Sequence, residues 1–408
     1  MHTVVVDLGF GDAGKGAVVD RLCGQGPVRA VVRFNGGAQA AHNVVTADGR
    51  HHTFAQFGSG TLRGVRTHLS RFMAVDPLAL AAEADHLRAL GVPDPYALLT
   101  VDRGARLTTP YHAAANRLRE RARGAGRHGS CGMGVGETTA YDLAHPGDAP
   151  TAGDCASRTR LLRRLRLLRD RLTDELGPLG APPPEDCADA FAAFGRAVRL
   201  TDETALRRLA RQGPLVFEGA QGVLLDEWHG FHPYTTWSTT TFANAETLLA
   251  EAGAAGSARR VGVVRTYTTR HGPGPLVTED AGLAAVLPER HNGHGRWQGA
   301  FRVGHFDAVA HAYAVEACGG VDALALTHVD AVGRGPLRIC RAYGVDGRLV
   351  ERIPVAGGRE LRPELTASLL RARPAIWETP GPDPRAWLDA IPSLLNAPLT
   401  LHTTSPHP

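Results

Sequence analysis

The sequence predicts an α/β fold built on a mainly parallel central sheet, and three observations carry that prediction. The apolar run Val4-Val5-Val6 leads into the glycine-rich stretch GFGDAGKG (9–16) and then into a helical pattern, the strand, turn and helix that open a parallel sheet. Short apolar strands and amphipathic helices then alternate at spacings suited to βαβ units. A second glycine-rich loop follows the second strand, at the sheet edge where open α/β sheets bind ligands.

The elements follow in order. Residues 3–8 read as the first strand, 15–23 as a helix and 29–34 as the second strand. An amphipathic helix over 76–90, a short apolar strand over 97–101 and a helix over 111–123 continue the alternation. The middle of the chain is helical and richer in charge. In SRTRLLRRLRLLRDRLTDEL (157–176), Leu161, Leu165, Leu168 and Leu172 share one face and arginines occupy the rest. A basic amphipathic helix could touch RNA or a membrane surface, but a solvated outer face is the commoner meaning of this pattern. Ala181-Pro182-Pro183-Pro184 reads as a connector inside a mostly helical insertion, about 105–213, of a single domain spanning 1–408. Strands resume at 214–217 and 260–267. A helix over 304–317, strands over 323–327 and 338–343, a helix over 384–395 and a last strand over 398–402 complete the chain.

Composition narrows the function classes. With 43% hydrophobic residues, 21% charged residues and a formal charge of +4, the chain carries no footprint of a nucleic-acid partner. No apolar run approaches a membrane span, and MHTVVVDLGF lacks the regions of a secretory signal, so neither membrane nor export is expected and the cytoplasm is. The six cysteines are scattered without a CxxC pair, which indicates neither zinc nor a disulfide framework. Of 45 basic side chains, Lys15 is the only lysine. Wherever positive charge alone sufficed, arginine stands. A lysine kept inside the glycine loop therefore reads as chemically required, because a compact ammonium fits against phosphate oxygens where the broad guanidinium does not.

The glycine loop fits two patterns. As GxGxxG (Gly9, Gly11, Gly14) it is a dinucleotide fingerprint, and as GxxxxGK it is a P-loop whose Ser/Thr has become Gly16. The first wants an acidic residue about 20 positions on. The second strand ends instead on Arg33-Phe34-Asn35, so a dinucleotide reading survives only for NADP and leaves Asp12 and Lys15 without work. Phosphoryl transfer uses both: the lysine neutralises phosphate charge, and a carboxylate in the loop binds Mg²⁺ or takes a proton. An Asx turn that only shapes the loop is the bland alternative for Asp12. The second loop, Phe34 to His42, places a lone histidine beside the first.

At this point a resemblance becomes specific. VVVDLGFGDAGKGAVVD (4–20), VVRFNGGAQAAH (31–42), GSCGMGVGETTAYD (129–142), VFEGAQGVLLDEWHGFHPYTT (216–236), RTYTTRHGPGPLVTED (265–280) and LALTHVDAV (324–332) are similar, in order and spacing, to blocks of the adenylosuccinate synthetase family. The resemblance implies a modified P-loop NTPase fold. It also implies an enzyme that moves the γ-phosphoryl of GTP to the 6-oxygen of IMP, whereupon the amine of aspartate displaces phosphate. By position, Asp12 resembles the base that takes the purine N1 proton and, with Ala41, the Mg²⁺ site. His42 resembles the acid that stabilises charge on the transferring oxygen. Gly11, Gly14, Lys15 and Gly16 would hold the γ-phosphate, and Asp330 and His328 the guanine. Gln39, Cys131, Gln221, Thr236, Arg270, Arg296 and Arg302 would contact the acceptor and the amine. A homodimer is likewise implied.

The departures bear on the substrate. The family's GDEGKGK reads GDAGKGA here, its NAGHT reads Gln39-Ala40-Ala41-His42-Asn43, and its TTGRGIGP becomes 130–137 with Met133 and Glu137. The segment 143–154 lacks the arginine that reaches the IMP phosphate across the dimer, and the amine loop at 293–302 has lost its threonines. Thr404-Ser405-Pro406 only roughly matches the family's closing turn. Phosphoryl transfer is thus kept while 5′-phosphate contacts are thinned, which leaves open another purine-like or carbonyl acceptor, another amine, and ATP in place of GTP because His328 stands where a lysine packs on guanine. An NADP-dependent oxidoreductase and a catalytically inactive nucleotide-binding regulator are the rivals from other classes. Cys131 as a nucleophile, and His229, His232 and His271 as a metal cluster, are the weaker readings of those residues.

Overall fold

The computed structural model describes residues 1–287, 289 and 293–404. Its centre is a nine-stranded sheet in which every neighbouring pair is parallel. From edge to edge the strands are Leu399–His402, Ala323–Thr327, Ala258–Arg265, His2–Asp7, Leu215–Glu218, Ala30–Arg33, Arg66–Leu69, Leu99–Asp102 and Arg199–Thr201. The first strand of the chain therefore lies inside the sheet and is buried on both faces. Its side chains alternate, with Val4 and Val6 in one apolar cluster and Val5 in another, as the two-residue period of a strand requires. The helix Lys15–Gln25 covers the Val5 face with Val18, Val19 and Cys23. Helices Ala243–Glu251, Ala308–Ala317 and Pro384–Leu394 cover the other through Leu248, Leu249, Tyr313, Trp387 and Ile391.

A third cluster holds the leucine stripe of the helix Arg158–Leu176. Leu161, Leu165 and Leu168 are fully buried and Leu172 nearly so, each worth about 1.5–3 kcal/mol of burial. The arginines of the outer face are engaged within the chain, Arg158 with Asp189, Arg166 with Glu185 and Arg171 with Asp148. Such exposed pairs contribute roughly 0–1 kcal/mol each. The prolines at 182–184 do not interrupt a helix but start one, Pro184–Ala197, with Pro184 at its first position, where the missing N–H would have had no partner.

Several elements differ from expectation. The short strand Arg199–Thr201 lies in the stretch read as mostly helical and pairs with Leu99–Asp102 at the sheet edge. Ile339–Val345 is a strand but stays outside the central sheet, pairing with Phe306–Asp307, Arg348–Val350 and Arg373–Glu378. The helix expected over 304–317 begins at Ala308, because Phe306–Asp307 is extended and the Asp307 carboxylate caps the helix at Ala310 N–H. The glycine-rich block 129–142 hides a helix, Val135–Ala144. No described helix is long and apolar enough to cross a membrane.

Candidate active site

Five neighbouring strands in the middle of the sheet end on a polar residue: Thr327, Arg265, Asp7, Glu218 and Arg33, in that spatial order. All five are at most 5% exposed. They form a rim from which the glycine loops rise.

Asp7 carries the first loop. Its carboxylate accepts the N–H groups of Gly9 (2.7 Å), Gly11 (3.3 Å) and Ala13 (2.7 Å) and the ammonium of Lys15 (3.2 Å). Lys15 Nζ also donates to Gly11 O at 2.7 Å. Gly11 and Gly14 hold φ of 113° and 91°, the left-handed conformations that let the loop fold back on the strand end. Burial raises the carboxyl of Asp12 above its ordinary range, against the pull of His271, Arg265 and Lys15, while Asp7 adds to the rise. Arg265 donates to the Asp12 carbonyl at 2.5 Å, and its guanidinium is bound to Glu289 and to Tyr267 Oη. Glu289 sits deep: burial opposes its ionisation, but Arg265 holds its carboxyl down at about 2.

His42 opens the short strand His42–Val45, which forms a hairpin with His51–Phe54, where the sequence reading had put it at the end of a loop. Its Nδ1–H donates to Glu218 at 2.6 Å, and Glu218 also accepts from Ser59 N–H at 3.0 Å. Burial works against ionisation of Glu218, yet Arg33, His42 and Ser59 keep its carboxyl at about 2. Burial likewise lowers His42 to about 4, opposed by Glu218. The pair at neutral pH is therefore a neutral imidazole oriented by a carboxylate, ready to accept a proton when negative charge arrives beside it. Arg33 donates one bond to Phe57 O at 3.0 Å, and its Nε and Nη2 have no partner although the side chain is fully buried. The first turn of the helix Lys15–Gln25 touches this pair: a Cβ on Gly16 would lie 2.9 Å from His42 Cβ. Lys15 is thereby held near enough to His42 for its charge to disfavour a second positive charge there.

The third glycine loop, 219–222, is fastened to the second. Asn35 donates to Ala220 O at 2.9 Å and accepts from Ala220 N–H at 2.7 Å. Gln221 is held at φ 57°, and its Oε1 is buried without a partner, as is that of Gln39. A residue other than glycine held in the left-handed region stores strain of about 1–3 kcal/mol, and such residues gather at functional sites. Thr236 is half-buried nearby in sequence, its N–H bonded to Leu225 O at 2.8 Å. Burial raises the Cys131 thiol, which disfavours a thiolate nucleophile. Among the described residues no group of three or more His, Cys, Asp or Glu side chains could hold a metal ion.

Beside the residues read as guanine contacts, Thr327 Oγ1 donates to Ala13 O at 2.6 Å and meets His328 Nδ1 at 3.0 Å. His328 is itself left-handed (φ 55°), with its ring edge-on to Tyr267 at 5.8 Å. Asp330 is paired with Arg334 at 2.7 Å. The arginines read as substrate clamps are differently placed. Arg270 is buried, donates to the carbonyls of Pro273, Pro275 and Tyr234, and lies over Phe10. Burial and the nearby Arg302 lower it to about 9. Arg302 is bound to Glu279 and to the carbonyls of Gly272 and Gly274. Both tie down the 270–280 turn, Arg270 from a buried position and Arg302 from a part-exposed one, because buried carbonyls there need donors. Arg296 is exposed and stacks over Trp297 at 5.5 Å, and that indole also receives Arg121 at 5.2 Å. Thr404 is described, whereas Ser405 and Pro406 of the expected closing turn lie outside the described residues.

Sequence reasoning missed the site placement of Asp7, Arg33 (weighed only as a contact to an NADP phosphate), Glu218, Arg265 and Glu289. The first four stand at strand ends, and only the order of the strands brings them together.

Comparison with known proteins agrees with this geometry. A family model described as adenylosuccinate synthetase matches residues 4–367. The adenylosuccinate synthetase of Desulfovibrio desulfuricans is 35% identical over 374 residues, 88% of this chain and 85% of its own. That of Acidithiobacillus ferrooxidans is 33% identical over 431 residues, 99% of this chain and 96% of its own. Among solved structures, fully ligated adenylosuccinate synthetase from Plasmodium falciparum superposes with a TM-score of 0.85 at 20% identity, covering 100% of this chain and 98% of that one. The cyanophage S-2L succinoaminodeoxyadenylate synthetase, bound to dGMP and dATP as an energy donor, gives 0.59 at 21% identity, covering 81% and 85%. The two structures share the fold; the sequence matches are what establish that this chain belongs to the adenylosuccinate synthetase family, ligases that form C–N bonds.

Proposed function

We propose that this GTP-dependent C–N ligase works in two steps on a purine 6-oxygen, with Asp12, Lys15 and His42 as its reacting groups. The observation that carries the reading is the close packing of Gly16, the residue after Lys15, on the His42–Glu218 pair. In the first step Asp12 takes the N1 proton of the acceptor, and electron density moves to the 6-oxygen, which attacks the γ-phosphorus of GTP as GDP leaves. Lys15 neutralises the phosphoryl oxygens, and His42, which takes a proton from solvent on Nε2 as the anionic substrates arrive and is balanced by Glu218, stabilises charge at the bridging oxygen. In the second step the amine attacks C6, phosphate departs with the proton that Asp12 took from N1, which restores the base, and the proton lost by the amine goes to solvent. Phosphate is a far better leaving group than the carbonyl oxygen it replaces, and each proton-transfer partner is worth about 10²–10⁴ in rate. IMP and aspartate are the expected acceptor and amine. Gln221 and Gln39, whose amide oxygens are buried without partners, are the groups we assign to the acceptor.

One carboxylate and a carbonyl, Asp12 and Ala41, make a poor cage for a metal alone but suit Mg²⁺ shared with phosphate, and the raised carboxyl of Asp12 beside Asp7 is a place where added positive charge is favourable. When bound, the ion supplies charge neutralisation to the phosphate oxygens. A cytoplasmic homodimer of the single 1–408 unit, its helices at 105–213 inserted into the sheet, follows from the family resemblance. ATP is a second reading of the donor: Arg334 neutralises Asp330, the carboxylate that would read guanine, and the cyanophage relative takes dATP.

Phosphate release from GTP and Mg²⁺ with IMP and aspartate, each omitted in turn and ATP then substituted, tests the reading. Release that requires both, with an adenylosuccinate product, is the expected result. Release with neither, or none with any of these purines and amines, would sink it.

A further inference from the structure

Asp7 belongs to neither phosphate-binding pattern, since both begin at Gly9. Its carboxylate is nonetheless the centre of the loop. One oxygen accepts Gly9 N–H and Gly11 N–H, the other Ala13 N–H and the Lys15 ammonium. Alternate backbone N–H groups turned inward onto an anion make a nest, the arrangement that elsewhere surrounds a phosphate. Here the occupant is the protein's own side chain, 1% exposed. An ammonium has three donors, and two of those on Lys15 are engaged by Asp7 and Gly11 O, so the buried side chain is held from both sides in the empty loop. Behind the loop, His311 donates to Leu8 O at 3.2 Å and adds no competing charge at neutral pH, because burial lowers it to about 4.

We propose that Asp7 is a positioning residue, a built-in anion that holds the glycine loop and Lys15 in their working arrangement before any nucleotide arrives. The loop is then not a phosphate cradle waiting to be filled. It is a finished platform that presents the start of the helix to the γ-phosphate, with the Lys15 charge buried beneath it. The effect on turnover rests on the ligase reading above; the state of the empty loop does not.

Two measurements on the full chain test this. The first compares Asp7→Asn with the parent. We expect turnover to fall about 100-fold, the loss typical of a misplaced reacting group, and nucleotide affinity about tenfold, the loss of one charge-assisted hydrogen bond, with the acceptor KM unchanged. A variant that merely contained less folded enzyme would lower turnover and move neither the nucleotide Kd nor its KM. Asp7→Asn within threefold of the parent in both quantities would overturn the proposal. The second is amide hydrogen exchange across residues 8–14 of the parent, which needs neither a variant that folds nor an active enzyme. Protection of Gly9, Gly11 and Ala13 without nucleotide, equal to that with GTP, is expected. Unprotected exchange that slows only when GTP binds would overturn the proposal, whatever the substrate proves to be.

Discussion

On the side of the site proposed to hold phosphate, Asp7, Arg33, Glu218, Arg265 and Thr327 are the last residues of five adjoining strands, so the sheet itself sets their spacing. On the side proposed for the acceptor and amine, Arg296 and Trp297 ride on a loop pinned by reciprocal bonds between Gly295 and Gly299, and Arg270 and Arg302 are bound to carbonyls of their own turn. One side is positioned by parallel hydrogen-bond ladders, the other by loops packed on loops. Sheets resist displacement and loops absorb change. The chemistry of phosphoryl transfer is therefore fixed by the scaffold, while the identity of the acceptor is written where substitutions do least harm to folding.

The sharpest way to break this contrast is on the phosphate side. His42→Ala and Asp12→Asn should each reduce turnover by about 10²–10⁴ while GTP binding, read by a fluorescent analogue, stays within a few-fold. Either variant at full activity would remove the proposed roles. Next comes Glu218, whose carboxyl is held at about 2 against an ordinary 4.5. Because the folded value is the lower one, its contribution is present above about pH 4.5 and is lost as pH falls toward 2, worth about 3 kcal/mol in all. Urea midpoints of the parent should decline over that window, and those of Glu218→Gln should decline less. An identical slope would show that the rim is not electrostatically held.

The smallest effects should fall on the acceptor side, and two arginines separate structure from recognition there. Arg270→Lys loses donors to buried carbonyls and should destabilise by about 1–3 kcal/mol. Arg296→Ala, at an exposed position, should change stability by no more than about 0.5 kcal/mol and raise only the KM for the amine. A stable Arg270→Lys with a raised KM would reverse the assignment.

Much of the fold was legible because strands and helices that alternate leave a periodic mark. The leucine stripe of Arg158–Leu176 and the strand His2–Asp7 were read directly from spacing. The helix Val135–Ala144 was not, since its start is masked by glycines at 129, 132, 134 and 136, and Arg199–Thr201 is too short to show alternation. Of the candidate site, Lys15 and His42 stood out because each is rare in its surroundings. Glu218 could not, because its link to His42 spans 176 positions in the chain and exists only through the strand order. Arg270 was read as a ligand clamp because it stands beside a glycine turn, and spacing could not show the carbonyls of Pro273, Pro275 and Tyr234 that it serves.

The sole lysine of the chain is also buried, with its side chain wholly inaccessible. Reagents that acylate ε-amines therefore find no side-chain target on the folded protein, and cellular systems that tag lysines have none to reach on its surface. Any slow labelling of Lys15 would count excursions of the glycine loop away from the sheet, which makes that one amine a native reporter of how often the platform comes apart.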